Sequence, residues 1–259
     1  MSTGFRTFEA SAPMADGLRF VTVKSAALGQ RADLSLWAPE DHHGPLPLVV
    51  LLHGVYGSHW AWALKGDAHR TAQRLIEAGT LPPCVLAMPS DGLWGDGSGY
   101  VRHAAQDFER WIVDEVPQAA QAAGLPVDAA APFALAGLSM GGFGALRLAA
   151  RHPQRVSAAA ALSCFTELRQ IDALLAEPRT GWDDSDATLL PLLLRPTMPP
   201  FSLICGLDDP YLAANRALHA GLEVAQVPHV YLERAGGHDW AFWRVHLATV
   251  LPTLLSRSG

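Results

Sequence analysis

Short, unbroken apolar runs separated by helix-length segments constrain the fold more than any other feature of this sequence. After residue 45 the runs occupy residues 48–52, 84–88, 133–136, 156–162 and 201–205. Continuous hydrophobicity over so few residues indicates strands that are covered on both faces, which is typical of parallel strands between layers of helices. The pattern therefore predicts the α/β class, with a mostly parallel central sheet and helices on both faces.

The first forty residues alternate between apolar and polar side chains instead. Residues 18–23 and 34–37 have the pattern of two strands joined by a glycine-containing turn, which predicts an N-terminal antiparallel edge hairpin. Apolar residues at helical spacing predict helices over residues 103–123, 212–225 and 240–255. Because no repeat, low-complexity stretch or linker is present, we expect a single domain over residues 1–259.

Charge and hydrophobicity exclude several classes of partner. The formal net charge is −6 and no Lys/Arg cluster is present, so no nucleic-acid partner is expected, and an anionic membrane surface would repel the chain. The N-terminal segment lacks the apolar core of a secretory signal, and the longest apolar runs are too short to span a bilayer. We therefore expect a cytoplasmic location without membrane binding; a homo-oligomer is left open.

The three cysteines, Cys84, Cys164 and Cys205, each lie in an apolar, strand-like run. They form no CxxC pair, and no cluster of His, Cys and Asp has the spacing of a zinc site. We interpret them as buried, reduced hydrophobic residues rather than as a nucleophile or metal ligands. No metal or organic cofactor is expected.

A GxSxG motif (GLSMG, residues 137–141) lies between the apolar run 133–136 and a segment with helical spacing. This strand–turn–helix context is the one that a nucleophile elbow requires. So sharp a turn strains the serine backbone, and the residues two positions away must lack side chains for the strand and helix to pack. We therefore predict Ser139 as the nucleophile; the alternative is a glycine-rich turn with an incidental serine.

His238 stands apart among the eleven histidines. It follows two glycines in a loop between the last predicted strand (229–233) and the final helix, where an imidazole can reach the nucleophile. Histidines 69, 103, 152, 219 and 246 fall on helical faces or ends and are predicted to be solvated. With His238 as general base, activity should fall on acidification, because a protonated imidazole accepts no proton.

Two adjacent aspartates compete for the role of orienting acid. Asp208 and Asp209 follow the run 201–205, and the chain order Ser, Asp, His is the order of the α/β-hydrolase fold. We favour Asp209, three residues after Gly206, which closes the strand. Asp208 is then interpreted as a turn residue.

The sequence HGVYGS (53–58) follows the run 48–52, where this fold supplies an oxyanion donor. We predict that the backbone N–H groups of Val55 and Met140 bind the oxyanion, and that Gly54 contacts the substrate. His53 is interpreted as support for this loop rather than as a second base.

Three further segments are candidates for the substrate mouth. The glycine-rich stretch 91–99 lacks the lysine of a phosphate loop, and its Trp94, together with Tyr100, offers an aromatic wall; a plain structural loop is the alternative. Trp240 is close enough to His238 to contact substrate, although core packing also explains it. The long connection 165–200 is predicted to wall the acyl pocket with Leu174, Leu175, Trp182 and residues 189–194.

Residues 45–255 resemble the Putative esterase family, which includes tributyrin-type carboxylesterases, S-formylglutathione hydrolases, feruloyl esterases and mycolyltransferase antigens. The matching stretches are LLHGVYGSHWAW, PPCVLAMPSDG, AGLSMGGFGALRLAARHP, CGLDDPYLAANRALH and GGHDWAFWR. The resemblance implies the α/β-hydrolase fold, a Ser139–His238–Asp209 triad, and Val55 and Met140 as oxyanion donors.

The match is less complete for one branch of the family. S-formylglutathione hydrolases typically have histidines where this chain has Leu138 and Phe143. We therefore expect a serine esterase that hydrolyses short-chain or small aromatic acyl esters through an acyl-enzyme. A thioesterase, an acyltransferase and a non-catalytic binding protein of the same fold are the alternatives.

Overall fold

The computed structural model describes residues 5–40, 42, 44–91, 96–175 and 187–256. Within these residues one sheet has the strand order β1-β2-β3-β5-β4-β6-β7-β8-β9. The strands are β1 (Phe5–Ala10), β2 (Arg19–Ser25), β3 (Arg31–Trp37), β4 (Leu48–Leu52), β5 (Val85–Pro89), β6 (Phe133–Leu138), β7 (Val156–Leu162), β8 (Phe201–Gly206) and β9 (Val230–Arg234).

The sheet changes from antiparallel to parallel along its width. β1, β2, β3 and β5 pair antiparallel in that order, whereas β5, β4, β6, β7, β8 and β9 pair parallel. Strands β4 to β8 are buried almost throughout, as their unbroken hydrophobicity predicts. The predicted sheet is therefore confirmed, with β1 as an additional edge strand.

Helices cover both faces of the sheet. They are α1 (Ala61–Leu64), α2 (Ala68–Glu77), α3 (Phe108–Arg110), α4 (Val116–Ala122), α5 (Met140–Arg151), α6 (Leu189–Leu193), α7 (Leu212–Val224) and α8 (Trp240–Leu255). One apolar core packs helices α3, α4, α5, α6 and α7 against one face of the sheet. A second core packs α1, α2 and α8 against the other face. No helix of the described residues is long and apolar enough to cross a membrane.

The helix predicted over residues 103–123 is shorter and less regular in the structure. It begins at Phe108, where the Asp107 carboxylate caps the helix by accepting the Arg110 N–H at 2.9 Å. A π-helical turn, Trp111–Glu115, joins α3 to α4. His103 precedes the helix and is buried, with Nε2 2.8 Å from the Ser98 carbonyl.

Candidate active site

Ser139 occupies a strained turn between β6 and α5. Its backbone has φ 51° and ψ −116°, outside the regions that a serine ordinarily adopts. A Cβ on Gly137 would lie 2.2 Å from the Gly141 backbone, and one on Gly141 would lie 2.2 Å from the Leu52 carbonyl oxygen. Both positions must therefore be glycine for β6, α5 and β4 to approach so closely, which is the packing that the GxSxG pattern predicts.

The structure brings Ser139, Asp209 and His238 together. His238 Nε2 lies 3.0 Å from the Ser139 hydroxyl, and His238 Nδ1 lies 2.9 Å from Oδ2 of Asp209. Because a carboxylate only accepts hydrogen bonds, Nδ1 carries the proton and Nε2 presents its lone pair to the serine. The imidazole is thus held in the tautomer that can accept the hydroxyl proton.

Asp209, and not Asp208, faces the imidazole. Asp209 is buried at the beginning of the segment after β8, whereas Asp208 is exposed and its N–H donates to the Gly236 carbonyl. Burial alone would raise the pKa of Asp209, but its hydrogen bonds with His238 and the Tyr211 N–H outweigh burial and lower that pKa. The carboxylate is therefore ionised and able to stabilise an imidazolium.

The loop after β4 lies directly against the nucleophile. A Cβ on Gly54 would be 3.3 Å from Cβ of Ser139 and 2.8 Å from Cδ1 of Leu138, so a side chain here would displace Leu138 and crowd the serine. Among the described residues, the N–H groups of Val55 and Met140 have no hydrogen-bond acceptor. Met140 opens α5, where the first N–H groups of a helix lack intrahelical partners and attract negative charge.

His53 lies beneath this loop and is buried. Its Nδ1 is 2.7 Å from the Gly54 carbonyl and therefore donates, which leaves Nε2 to accept the Asp91 N–H at 3.2 Å. The Gly54 carbonyl and the Val55 N–H belong to one planar peptide unit. His53 thus orients the Val55 N–H, and its burial excludes the role of a second solvent-facing base.

The segment 96–100 supports the same loop. The Asp96 carbonyl accepts the Tyr56 N–H at 2.9 Å, and a Cβ on Gly97 would lie 2.6 Å from Met140 Sδ and 3.1 Å from the Val55 side chain. Trp94 lies outside the described residues. The aromatic wall predicted for Tyr100 is wrong, because this side chain is fully buried and its hydroxyl donates to the His53 carbonyl.

Two aromatic rings contact the imidazole of His238 edge-on. Tyr211 has its ring centroid 5.2 Å away and Trp243 has its centroid 5.0 Å away. Trp240 instead packs against Trp62 and Trp243. The sequence did not predict the contact of Tyr211, which follows Asp209 by two residues; Trp243 is interpreted from the sequence as core packing, and it is buried in the core as well as in contact with His238.

Only some residues of the connection between β7 and β8 are placed where they could line an acyl pocket. Leu189, Leu192 and Leu193 are fully buried in the core, so the prediction that residues 189–194 line the pocket is wrong for these leucines. Leu174 and Leu175 are partly buried, and Leu175 forms a β-bridge with Gly97, which lies against Val55 and Met140. Trp182 lies outside the described residues.

Several polar groups outside the triad are more buried than the sequence suggests. His69 is buried with Nε2 3.0 Å from Asp16, so its predicted solvation, like that of His103, is wrong. The cysteines are buried and unpaired, as predicted. Burial raises the pKa of the Cys84 thiol to about 12, and it raises the pKa of the other two thiols as well, which keeps all three protonated and unreactive.

Known proteins similar to this chain are esterases and related hydrolases. It is 25% identical to an acetyl esterase of Caldicellulosiruptor saccharolyticus over 227 residues, 78% of this chain and 81% of the relative. It is 28% identical to an S-formylglutathione hydrolase of Paracoccus denitrificans (strain Pd 1222) over 187 residues, 64% of this chain and 66% of the relative. A ferulic acid esterase structure matches with a TM-score of 0.79 at 22% identity, covering 96% of this chain and 98% of that chain.

The family profile described as Putative esterase matches residues 25–254, which includes the elbow, both aspartates and the histidine loop. The likeness to the ferulic acid esterase shows that the fold is that of the α/β-hydrolases. The chain therefore belongs to the Putative esterase family and is a serine hydrolase of carboxylic esters.

Proposed function

We propose that Ser139, His238 and Asp209 form the catalytic triad of this esterase. The observation that carries the proposal is the continuous hydrogen-bonded path from the Ser139 hydroxyl through the imidazole to the Asp209 carboxylate. Each role follows from chemistry: a hydroxyl becomes a competent nucleophile when a neutral imidazole accepts its proton, and a buried carboxylate stabilises the resulting imidazolium.

In the first half of the reaction, Ser139 Oγ attacks the ester carbonyl carbon while its proton moves to Nε2 of His238. The carbonyl oxygen becomes negative, and the N–H groups of Val55 and Met140 donate to it. When the intermediate collapses, the C–O bond to the alcohol breaks and His238 returns the proton to the leaving oxygen. An acyl group then remains on Ser139.

In the second half, water replaces the alcohol. His238 removes a proton from the water as it attacks the acyl carbon, and the same two N–H groups again stabilise the oxyanion. Collapse releases the carboxylic acid and returns the proton to Ser139 Oγ. Every proton transfer passes through Nε2 of His238, so the chemistry needs no group beyond the five residues named.

The acyl group that we propose is small, with acetyl esters as the first candidate. Apolar side chains crowd the two proposed oxyanion donors, because Val55 and Met140 both pack against Gly97 and Leu175 packs against Gly99. The acetyl esterase relative supports a short acyl chain, and the ferulic acid esterase supports a small aromatic acyl group as the next substrate to test.

S-formylglutathione hydrolase activity is the second candidate, supported by the relative of that name. Two features of this chain argue against it. Leu138 is buried beside Gly54, and Phe143 is fully buried with its ring stacked on Phe165 at 4.8 Å. Neither position supplies the polar side chain that the thioester branch of the family has there.

A panel of substrates tests the proposed function. We expect kcat/KM to be greatest for p-nitrophenyl acetate or butyrate, lower for methyl ferulate, and at least tenfold lower for p-nitrophenyl octanoate. A kcat/KM for S-formylglutathione above that for every oxygen ester would instead assign the thioesterase activity.

The nucleophile is tested in the same assay. Ser139→Ala should lower kcat by about 10⁴-fold or more. Ser157→Ala removes a hydroxyl from an exposed position of β7 and should leave kcat unchanged within about twofold. Undiminished turnover by Ser139→Ala would contradict the assignment.

The cytoplasmic location, the single domain and the oligomeric state stay predictions.

A further inference from the structure

Three potential metal ligands converge where α7 meets β9. His219, Glu223 and His229 each offer one ligand atom, and these atoms lie within 4.8 Å of one another. Nδ1 of His219 is only 2.8 Å from Nε2 of His229. The cluster includes no residue of the proposed triad, and nothing in the esterase mechanism requires it.

The local fold explains why the three side chains meet. His219 and Glu223 are four residues apart on α7 and therefore lie on the same face of that helix. The chain reverses after α7, held by the Val227 N–H donating to the Leu222 carbonyl at 3.0 Å. This turn brings His229, the residue before β9, back over the end of α7. These three residues do not have the spacing of a zinc motif in the sequence, because His229 approaches His219 and Glu223 only through the turn after α7.

The His229 ring is already oriented for a cation. His229 Nδ1 lies 2.7 Å from the Val227 carbonyl and so carries a proton, which leaves the lone pair of Nε2 facing the cluster. A second hydrogen bond of this kind is the usual way in which proteins fix a ligating histidine. The His229 ring also stacks on Phe201, and the His219 ring stacks on Tyr231 with centroids 4.3 Å apart.

Charge also favours a cation at this position. Glu223 is exposed, and no side-chain partner for its carboxylate is found among the described residues. The neighbouring Glu233 is bound by Arg216 at 2.7 and 2.8 Å and by the Tyr231 hydroxyl, so it is not free to compete as a ligand. The His219 and His229 imidazoles and the Glu223 carboxylate are therefore the groups available to a cation here.

We propose that His219, Glu223 and His229 bind one divalent transition-metal ion, with Zn²⁺ as the best match. Two imidazoles and one carboxylate form a common three-residue zinc set, and water completes the tetrahedron. Mg²⁺ and Ca²⁺ prefer oxygen ligands and are expected to bind far more weakly. On binding, the metal replaces the proton between the two rings, and His219 takes its other tautomer with the proton on Nε2.

The proposed role of the ion is to tie α7 to β9. Asp209 lies just before α7, and His238 lies in the loop after β9, so the ion would stabilise the two elements that flank these residues. This inference does not depend on the proposed catalytic roles, because metal binding is measured without turnover.

Calorimetric titration of the chelator-treated full chain with ZnCl₂ tests the site. We expect one ion per chain, a rise in Tm with added Zn²⁺, and no comparable rise with Mg²⁺. His219→Gln and His229→Gln should each weaken binding at least tenfold, and Glu223→Gln should weaken it measurably. His246→Gln on α8 is the matched control and should bind as the wild type does.

Two control measurements separate loss of the metal site from unfolding of the variants. Co²⁺ in place of Zn²⁺ should give visible absorption bands of a tetrahedral site in the wild type and in Ser139→Ala, and these bands should be lost in His229→Gln. Far-ultraviolet circular dichroism of each variant checks that the chain remains folded. Zn²⁺ binding that is unchanged in both His219→Gln and His229→Gln, or absent from the wild type, would overturn the proposal.

Discussion

At the scale of single residues, the site depends on groups that orient the reacting atoms as much as on the atoms themselves. Asp209 fixes the tautomer of His238, and His53 fixes the peptide that carries the Val55 N–H. Both positioning groups are buried, so solvent cannot replace the hydrogen bonds that they make. Their removal should therefore affect the chemical step more than substrate binding.

The adjacent aspartates provide a matched pair for testing the orienting acid. Asp209→Asn should lower kcat by about 10³–10⁴-fold, because an amide no longer holds the proton on Nδ1 or stabilises the imidazolium. Asp208→Asn alters an exposed side chain and should change kcat by less than about twofold. Steady-state kinetics with p-nitrophenyl acetate measures both, and the opposite ranking would exchange the two assignments.

His53 is expected to act on the oxyanion through the Gly54–Val55 peptide. His53→Leu removes the Nδ1–H that holds the Gly54 carbonyl and should lower kcat about 10- to 100-fold with little change in KM, because the oxyanion exists only after attack. His53→Asn keeps a donor near the position of Nδ1 and should recover part of kcat. Equal losses in the two variants, or a change confined to KM, would show that His53 only fills space.

At the level of secondary-structure elements, an ion-pair network centred on the buried Glu109 and Arg147 joins α3 to α5 behind the elbow. Glu109 of α3 binds Arg147 at 2.8 Å, Arg151 at 2.9 Å and His152 at 2.6 Å. Burial would raise the pKa of Glu109, but these three partners outweigh burial and hold the pKa far below its ordinary value. Because α5 starts at Met140, this network anchors the helix that carries one of the two proposed oxyanion donors.

Removing the Glu109 charge should therefore destabilise the protein in a pH-dependent way. A depressed pKa in the folded state means that the stabilisation is complete above the unfolded pKa and is lost as the pH falls toward the folded value. Glu109→Gln should lower the free energy of unfolding by about 2–4 kcal/mol at neutral pH. The difference in free energy of unfolding between wild type and Glu109→Gln should become smaller below about pH 4.3, the ordinary pKa of a glutamate.

Urea denaturation at several pH values measures this effect. Glu77→Gln changes an exposed glutamate of α2 and should alter the free energy of unfolding by less than about 0.5 kcal/mol. A difference between wild type and Glu109→Gln that stays constant down to pH 3 would contradict the electrostatic explanation.

At the scale of the whole molecule, the sheet brings distant parts of the chain to one edge. Ser139 follows β6, Asp209 follows β8 and His238 follows β9, and the carboxyl ends of parallel strands lie on the same side of a sheet. Continuous hydrophobic runs made this topology predictable, and the turn sequences at three strand ends made the triad candidates predictable. Local pattern was sufficient wherever burial on both faces determined the element.

The features that the sequence did not predict depend on contacts between distant segments. The strand pattern of β1 is interrupted by a shift in its pairing with β2 between Phe5 and Phe8, which breaks the two-residue period. Tyr100 has a left-handed backbone (φ 53°) that turns its ring into the core beneath the elbow. Similarly, His229 reaches α7 only because the chain reverses after that helix. The periodicity and spacing of residues in the sequence do not predict contacts between segments that are distant along the chain.

Active-site labelling shows directly whether His238 activates the Ser139 hydroxyl. A fluorophosphonate reacts with a serine whose hydroxyl is activated by a neighbouring base, and mass spectrometry of the digested protein locates the adduct. We expect one adduct per chain, on Ser139, and at least a hundredfold slower labelling in His238→Ala. An adduct on a different serine, or labelling of Ser139 at the same rate without the imidazole, would contradict the proposed triad.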